Sequence, residues 1–432
     1  MRGKKVSFGM AVVLAMVAIT LVAASTPAEA QTETVLYNFI PLDSVDGFMP
    51  DAGLTADASG NLYGTTYQGG ANGTGAVFEL SPQSGGSWSQ KVLYSFGPNG
   101  STDGILPTAP VIFDGSGNLY GTTHYGGAQG GGIVFELTPQ SGGSWTETIL
   151  HSFGASGDGN SVFAGLIFDS AGNLYGTTGG GGAGTYCSQS TPCGVAFELS
   201  PQAGGSWKET ILHSFGSSGS DGQTPAAGLI FDAAGRLYGT TWYGGAYGGG
   251  TVFQLRPGAG GGWVERALYN FCVQALCTDG SLPDSSLTFD SAGNLYGTTA
   301  YGGGTTCYKG EGCGTVFKLS PEAGGSWKQR VIYYVNRGDG FAPASGVIFD
   351  KAGNLYGTNS LGMPAGGGSV FELSPVGRGA WNPRVVHAFA NNATDGGNPQ
   401  GGLIMDSAGN LYGTTFRGAN GYGYGTVYEI TP

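Results

Sequence analysis

The segment Gly172-Asn173-Leu174-Tyr175-Gly176-Thr177-Thr178 decides the fold, because the chain repeats it seven times at intervals of 55 to 63 residues. The tyrosine of the motif stands at Tyr63, Tyr120, Tyr175, Tyr238, Tyr296, Tyr356 and Tyr412. Around it, each repeat contains four strand-like runs separated by turn residues, which we label a to d in chain order. Four antiparallel strands in each of seven repeats predict an all-β, seven-bladed β-propeller, in which neighbouring blades bury each other's faces.

Some connections between the strands have a constant length and others do not. The aspartate that ends strand a precedes the strand-b tyrosine by six residues in every repeat, as Asp169 precedes Tyr175. The strand-c phenylalanine precedes the strand-d tryptophan by ten residues in six repeats, as Phe197 precedes Trp207. The b–c loops and the d–a crossovers vary in length. We therefore expect constant hairpins on one face of the disc and variable connections on the other, where loops on a rigid scaffold commonly carry function.

Strand d predicts how the blades pack. Period-2 alternation places these side chains on one face: Trp207, Glu209, Ile211, His213 and Phe215. We expect this largely aromatic face to contact the adjacent blade.

The two ends of the chain carry complementary fragments of a repeat. Glu33–Phe39 resembles an isolated strand d, whereas Gly425–Ile430 resembles a strand c that no strand d follows. The N-terminal strand is therefore expected to pair into the last blade and close the ring, which removes the open sheet edges that invite aggregation.

Composition agrees with an all-β fold. Glycine supplies 86 and proline 20 of the 432 residues, without the Gly-X-Y period of collagen. Glycine costs about 1 kcal/mol per helical position relative to alanine, so long helices are excluded. Aromatic residues make up 12% of the chain, which is apolar surface enough to favour folding over disorder.

The first 30 residues have the pattern of a signal peptide. A basic head at Arg2, Lys4 and Lys5 precedes an apolar run, and Ala28-Glu29-Ala30 predicts cleavage before Gln31. A membrane anchor is the alternative. The propeller then spans residues 31–432 and is predicted to be secreted, either extracellular or periplasmic, without a membrane span after cleavage. Removing residues 1–30 leaves a formal charge of −14, which excludes nucleic acid as a partner, and we expect a monomer.

The six cysteines all fall in the variable connections. They form three local pairs, Cys187 with Cys193, Cys272 with Cys277, and Cys307 with Cys313. Three disulfides are predicted, as suits an oxidising compartment. A zinc site is the alternative, but its structural form favours closer pairs combined with further ligands.

The repeats resemble the GloVer tandem repeats of exported bacterial proteins, whose hallmark is Gly-Asn-Leu-Tyr-Gly-Thr-Thr followed by glycines. The Asp-x-x-Gly-Asn-Leu-Tyr stretch is also similar to NHL and SMP-30-type propellers. The resemblance covers essentially the whole mature chain and implies an extracellular repeat protein, but it transfers no activity. This sequence departs from the pattern at Arg236, Asn359 and Val335.

Aromatic residues open most of the b–c loops and are the candidate binding residues. They are Tyr67, Tyr125, Trp242, Tyr243, Tyr301 and Phe416, with Arg417 beside the last. Rings exposed on a rigid rim suit the C–H faces of sugars or the anchor residues of a protein partner. Alternatively, these residues continue strand b and pack between blades.

Every d–a crossover contains an Asp-Gly pair. The aspartates are Asp46, Asp103, Asp158, Asp221, Asp279, Asp339 and Asp395. If they circle one mouth of the channel, they could hold Ca²⁺ or a cationic ligand. Alternatively, each caps its own turn. No other cofactor is predicted.

Catalytic signals are weak. His151, His213 and His387 occupy a strand-d position that holds tyrosine in other repeats, which indicates packing, and only His124 lies in a loop. Five glutamates share one strand-c position and are interpreted as a solvent-facing row: Glu79, Glu136, Glu198, Glu372 and Glu429.

These patterns favour a secreted, non-catalytic binding or scaffold module for a glycan or protein ligand, with its site at the face of the b–c and d–a loops. One alternative is a carbohydrate-active hydrolase or lyase at the channel mouth, and another is a structural repeat protein of the cell surface or matrix. An enzyme would need one or two carboxylates or a histidine that differ from their repeat equivalents and face the channel.

Overall fold

The computed structural model describes residues 32–39, 45–97, 102–188, 193–304, 307, 310–362, 366–392, 395–418 and 424–431. The predicted signal peptide lies outside these residues. Seven antiparallel sheets form the four-stranded blades of a β-propeller, as the repeats predict, and in the sixth blade the short strand Phe341–Pro343 also pairs with strand b. We number the blades 1 to 7 from Thr55 onward. No helix in the described ranges is both long enough and apolar enough to cross a bilayer.

The four strands of each blade follow the order of the sequence labels. The strands a are Thr55–Ala56, Ile112–Phe113, Ile167–Phe168, Ile230–Phe231, Thr288–Phe289, Ile348–Phe349 and Ile404–Met405. The strands b are Leu62–Thr66, Leu119–Thr123, Leu174–Thr178, Leu237–Thr241, Leu295–Thr299, Leu355–Leu361 and Leu411–Thr415. The strands c are Ala76–Pro82, Ile133–Pro139, Val195–Pro201, Thr251–Pro257, Thr315–Pro321, Ser369–Gly377 and Thr426–Thr431. The strands d of blades 1 to 6 are Trp88–Ser95, Trp145–Ser152, Trp207–Ser214, Trp263–Asn270, Trp327–Tyr334 and Ala380–Ala388.

Blade 7 combines the two ends of the described chain. Thr32–Asn38 occupies its strand-d position and pairs antiparallel with Thr426–Thr431. The Thr414 hydroxyl of this blade donates to the Ala52 carbonyl at 2.8 Å, and Phe39 meets Phe78 of blade 1 edge to face. The N-terminal strand therefore contacts both blade 7 and blade 1.

The repeated motif is explained by its contacts. In the a–b turn, Asp57 Oδ1 accepts from the backbone N–H groups of Ser59 and Asn61, and Gly60 has a positive φ of 84°. In strand b, a Cβ at Gly176 would lie 2.6 Å from the Phe197 ring of strand c, so only glycine fits.

The first threonine of the motif joins one blade to the next. Its hydroxyl donates to a backbone carbonyl just before strand a of the following blade at six of the seven interfaces, as Thr177 does to Ala227 at 3.1 Å. At the remaining interface the equivalent Thr358 contacts Ser345 of its own blade. These bonds form an inner belt around the channel.

A β-bulge in strand d corrects the predicted alternation. His213 and Ile211 face consecutive residues of strand c, so Leu212 is the extra residue and the side chains after it change face. Ile211 and Trp207 pack toward blade 2, whereas Leu212 and Phe215 pack toward blade 4. The same register shift occurs in every blade. Strand d thus has one face for each neighbour rather than a single aromatic face.

The three predicted disulfides are confirmed. They join Cys187 to Cys193, Cys272 to Cys277, and Cys307 to Cys313. Each closes a loop of the variable face locally. Two short 3-10 helices, Ala275–Cys277 and Ala323–Gly325, lie in a d–a crossover and in a c–d hairpin.

Candidate functional site at the channel mouth

The b–c loops and the d–a crossovers lie together on one face, as the spacing predicts. Short antiparallel ladders connect them, for example Gly104–Ile105 with Tyr125–Gly126 and Gly222–Gln223 with Tyr243–Gly244. The constant a–b and c–d hairpins occupy the other face. The described parts of the variable connections therefore lie on one rim.

At the centre of the ring is a cavity of about 680 Å³. Its wall is built from the segment that precedes strand a in each of the seven blades, so the cavity is the central channel. This volume lies within the range of small-molecule sites, about 300–1,000 Å³.

One position in this wall differs from blade to blade. It lies four residues before the first residue of strand a in every repeat. In chain order it is occupied by Asp51, Thr108, Phe163, Ala226, Asp284, Ala344 and Gln400. Two blades thus supply a carboxylate where the others supply a hydroxyl, a ring, a methyl group or an amide.

The two carboxylates are held in unusual surroundings. One oxygen of each, Oδ1 of Asp51 and Oδ1 of Asp284, is buried and has no hydrogen-bond partner among the described residues. Although part of each residue faces the channel, protein atoms surround the carboxyl groups. Burial raises the pKa of Asp51 to about 6 and that of Asp284 to about 7. Both groups can therefore exchange a proton near neutral pH.

A second ring of variable positions comes directly after the last residue of the Gly-Asn-Leu-Tyr-Gly-Thr-Thr motif. In chain order it contains Tyr67, His124, Gly179, Trp242, Ala300, Ser360 and Phe416. Tyr67, His124 and Phe416 line the cavity. The indole N–H of Trp242 is buried and without a partner in the described structure.

The second ring is hydrogen-bonded to crossover residues that have a strained backbone conformation. A residue with φ of 54–60° precedes the channel-wall segment in every blade, although none of the seven is glycine: Met49, Leu106, Ser161, Thr224, Leu282, Ala342 and Asn398. In blade 4, the backbone N–H of Thr224 donates to the Cys193 carbonyl of the previous blade. The Thr224 carbonyl in turn accepts from the backbone N–H of Trp242. Two backbone bonds thus stabilise a conformation that L-residues rarely adopt.

His124 is an aromatic member of the site. Its ring stacks on Tyr125 at a centroid distance of 3.7 Å and lies 3.9 Å from Phe163. Burial lowers the pKa of His124 to about 4, so the imidazole is neutral at physiological pH. Its Nε2 is buried and has no partner in the described ranges.

The structure divides the predicted binding residues into two groups. Tyr67 and Phe416 line the channel. Trp242 occupies the equivalent position in blade 4. The remainder stand one position later and pair with a d–a crossover on the outer rim: Tyr125, Tyr243, Tyr301 and Arg417. The seven residues therefore do not form one surface.

The structure does not gather the seven crossover aspartates around the channel. None of them lines the central cavity. Each instead accepts a hydrogen bond from the tyrosine or histidine near the end of the preceding strand d, as Asp103 does from Tyr94 and Asp221 from His213. Asp103 also accepts from the Gly97 backbone and so caps its own crossover. A single calcium ring has no support in this arrangement.

Two other expectations need correction. The strand-c glutamates do not form a solvent-facing row, because Glu136 accepts from the Tyr120 hydroxyl and Glu372 is buried beside Arg384. The strand-d histidines do more than pack, because each contacts a carboxylate. Glu136 lies opposite Tyr120 of strand b, which explains its hydrogen bond. The bulge in strand d explains the contacts of the histidines, because it changes the face to which they point.

Sequence reasoning missed Asp51 and Asp284. A signal was available, because the seven channel-wall segments align and these positions alone carry a charge. They lie outside the most regular motif, and strand a is only two residues long, so alternation could not orient them.

The fold and the site define a seven-bladed repeat propeller with a ligand-sized channel mouth. The chain belongs to the Gloeobacter/Verrucomicrobia repeat family, which matches residues 21–230, 184–324 and 303–432. No curated protein matches it in sequence.

Two solved structures resemble it in fold with TM-scores above 0.5. A fungal alcohol oxidase of the AA5 family in complex with copper is 15% identical, with a TM-score of 0.55 over 93% of this chain and 76% of the oxidase. An ancestral GH74 enzyme is 14% identical, with a TM-score of 0.51 over 88% of this chain and 48% of the enzyme. An oxidoreductase from Thermus thermophilus, described as a glucose dehydrogenase, is 15% identical, with a TM-score of 0.42 over 74% of this chain and 95% of that protein. At such identities the likeness concerns the fold alone.

Proposed function

We propose that the protein is an exported carbohydrate-binding propeller whose site is the mouth of the central channel. The observation that carries this proposal is the concentration of unpartnered polar atoms in a cavity that also contains aromatic rings. Asp51, Asp284, Thr108 and His124 line this cavity, and each has one polar atom that is buried and without a partner among the described residues. Leaving such an atom without a partner costs about 1–3 kcal/mol, so a ligand that supplies the missing bonds binds favourably.

A saccharide can provide hydrogen bonds for the unpartnered polar atoms and can also contact the aromatic rings. Its hydroxyl groups donate to carboxylates and also accept, so one ligand can satisfy several of these atoms. Its C–H faces can stack on the rings of Tyr67, Phe163 and Phe416, which line the same cavity. The disulfides in the surrounding loops support export and lower the conformational cost of ordering the rim.

The binding test separates the channel from the rim. A glycan array identifies a ligand, and calorimetry then measures its affinity for the mature protein. Asp284→Asn and Phe163→Ala are expected to weaken binding at least about tenfold, the loss of one good hydrogen bond or stacking contact. Tyr243→Ala on the outer rim is the control and should change affinity less than about twofold. The reverse result would move the site to the rim aromatics.

Carbohydrate hydrolysis is a second candidate function, favoured by the pair Asp51 and Asp284. Glycoside hydrolysis uses two carboxyl groups, one of them an acid that is still protonated near neutral pH, and burial raises the pKa of Asp284 to about 7. Release of reducing ends from a polysaccharide panel tests it. If Asp51→Asn and Asp284→Asn each abolish the release of reducing ends, the protein is a hydrolase. Retained binding without release identifies a binding protein.

A further inference from the structure

Three clusters of one histidine, one aspartate and one glutamate lie between neighbouring blades, away from the channel. In each, the histidine comes from strand d of one blade, the aspartate from the following crossover and the glutamate from strand d of the next blade. The clusters are His151–Asp158–Glu209, His213–Asp221–Glu265 and His387–Asp395–Glu33. We propose that each binds a divalent transition-metal ion of the zinc class and so links two blades.

The β-bulge in strand d brings these groups together. It turns His213 toward blade 4, whereas Glu265, which precedes the bulge in blade 4, faces back toward blade 3. Asp221 in the connecting crossover completes the group. One ligand atom from each residue lies within 4.8 Å of the others in all three clusters.

The separations suit a small tetrahedral ion. Nε2 of His213 lies 3.1 Å from Oδ2 of Asp221. In the neighbouring cluster, Nε2 of His151 lies 3.3 Å from Asp158 and 3.6 Å from Glu209. Zinc bonds of about 2.0–2.1 Å place two tetrahedral ligand atoms roughly 3.3 Å apart, so the ion fits with little movement.

The hydrogen bonds of the clusters are incomplete. Asp221 is a deeply buried acid of these clusters, with a side chain only 3% exposed, and its Oδ1 has no partner among the described residues. Oε1 of Glu265, Glu209 and Glu33 is likewise buried and unpartnered. Two carboxylates beside one imidazole leave net negative charge in a half-buried site, and a divalent cation would neutralise it.

Other interfaces of the same protein show the alternative without an ion. At the interface of blades 4 and 5, the Tyr269 hydroxyl donates to Asp279 at 2.9 Å and the Gln329 amide donates to the Asp279 carbonyl at 3.0 Å. Tyr37, Asp46 and Gln90 repeat this arrangement between blades 7 and 1. In all three places where histidine replaces the tyrosine, glutamate stands across the interface. Between blades 1 and 2 a glutamate also stands across from tyrosine, and there the Tyr94 hydroxyl donates to Glu147 at 2.9 Å. Only the histidine interfaces therefore combine an imidazole with two carboxylates.

The ligand set selects the class of ion. Calcium and magnesium prefer oxygen ligands, whereas an imidazole with two carboxylates suits zinc and its first-row neighbours. The histidine side chains are about one-fifth exposed, which leaves access for the ion and for water as a fourth ligand.

Zinc titration of the tag-free mature protein, after removal of metals with a chelator, tests the proposal. Calorimetry is expected to give three zinc ions per chain, and zinc should raise the midpoint of thermal unfolding. Cobalt should bind with the visible absorption of a tetrahedral site. Calcium chloride is the control and should produce no shift. Absence of both zinc binding and a thermal shift would overturn the proposal.

A paired substitution locates the ions. His213→Tyr with Glu265→Gln installs the pair that the protein already uses between blades 4 and 5, so folding without zinc should be preserved. The stoichiometry should fall from three to two, and His387→Tyr with Glu33→Gln should do the same at another interface. An unchanged stoichiometry in both variants would show that zinc binds elsewhere and would also overturn the proposal.

Discussion

The channel mouth and the interblade clusters both concentrate buried polar atoms that lack partners, but they do so in different ways. Of 14 such atoms in the described ranges, five belong to the channel rings: Asp51, Thr108, His124, Trp242 and Asp284. Another four belong to the interblade clusters: Glu33, Glu209, Asp221 and Glu265. Of the remaining five, Glu147 lies at another blade interface and the others are Thr66, Asn359, Asn391 and Tyr428. Nine of the 14 atoms are therefore concentrated in these two regions.

The two regions differ in symmetry. Around the channel each blade supplies a chemically different group, and such a wall can fit one asymmetric ligand. At the interfaces the same three positions recur with only a few alternatives, which suits several copies of a small ligand such as an ion. A repeat protein can thus combine a single recognition site with repeated structural sites, because mutation in one blade leaves the others unchanged.

The largest effect is expected from removing the N-terminal strand, because both regions depend on an intact ring. Deleting residues 31–40 removes the partner of Thr426–Thr431 together with buried Leu36 and Phe39. Losing two large buried side chains alone costs more than about 5 kcal/mol. Urea denaturation should show a loss of cooperative unfolding or a greatly lowered midpoint. Thr34→Ala, an exposed change on the same strand, is the control. An unchanged midpoint in the deletion would show that the ring does not need this strand.

A smaller effect is expected in the framework that both regions share. Gly176→Ala would place a methyl group 2.6 Å from the Phe197 ring, and overpacking of this kind costs about 1–3 kcal/mol. Gly115→Ala is the matched control, because nothing lies within 4 Å of the added carbon. Urea denaturation of both variants measures the difference. Equal stabilities would mean that strands b and c separate more easily than their packing indicates.

The sequence predicted the parts of the molecule that repeat. The seven tyrosines marked the blades, and the constant distance from Asp169 to Tyr175 predicted the hairpin. The close cysteine pairs predicted the disulfides. In each case a local spacing determines a local structure, so no tertiary information was needed.

The sequence did not predict what depends on a change of strand geometry. The adjacent apolar residues Ile211 and Leu212 were the only sign of the bulge, and a binary pattern does not distinguish a bulge from a variation in sequence. Without the bulge, His213 and Glu209 were placed on one face, which concealed the clusters. Asp284 was overlooked for a related reason, since its orientation depends on a strained crossover rather than on strand alternation.

The smallest expected effect on stability is that of a channel substitution, and it is a gain, whereas the framework substitution Gly176→Ala is expected to cause a loss. Asp284→Asn is expected to stabilise the protein at pH 8 and to leave it unchanged at pH 4. Burial raises the pKa of Asp284 from 3.8 to about 7, so the folded protein retains a proton that the unfolded chain releases. The contribution of this group to stability is fully present below about pH 4 and declines as the pH rises toward 7. Three pKa units correspond to about 4 kcal/mol, which solvent in the channel reduces to about 2 kcal/mol.

Urea denaturation of the wild type and the variant at pH 4 and pH 8 measures this difference. Glu322→Gln, an exposed carboxylate in a c–d hairpin, is the control and should show no difference at either pH. A gain at pH 8 would show that the channel carboxylate lowers the stability of the free protein, as expected of a group placed for a ligand. Destabilisation at pH 8 would show instead that the charged form of Asp284 has partners within the fold, and the channel would then resemble the rest of the framework.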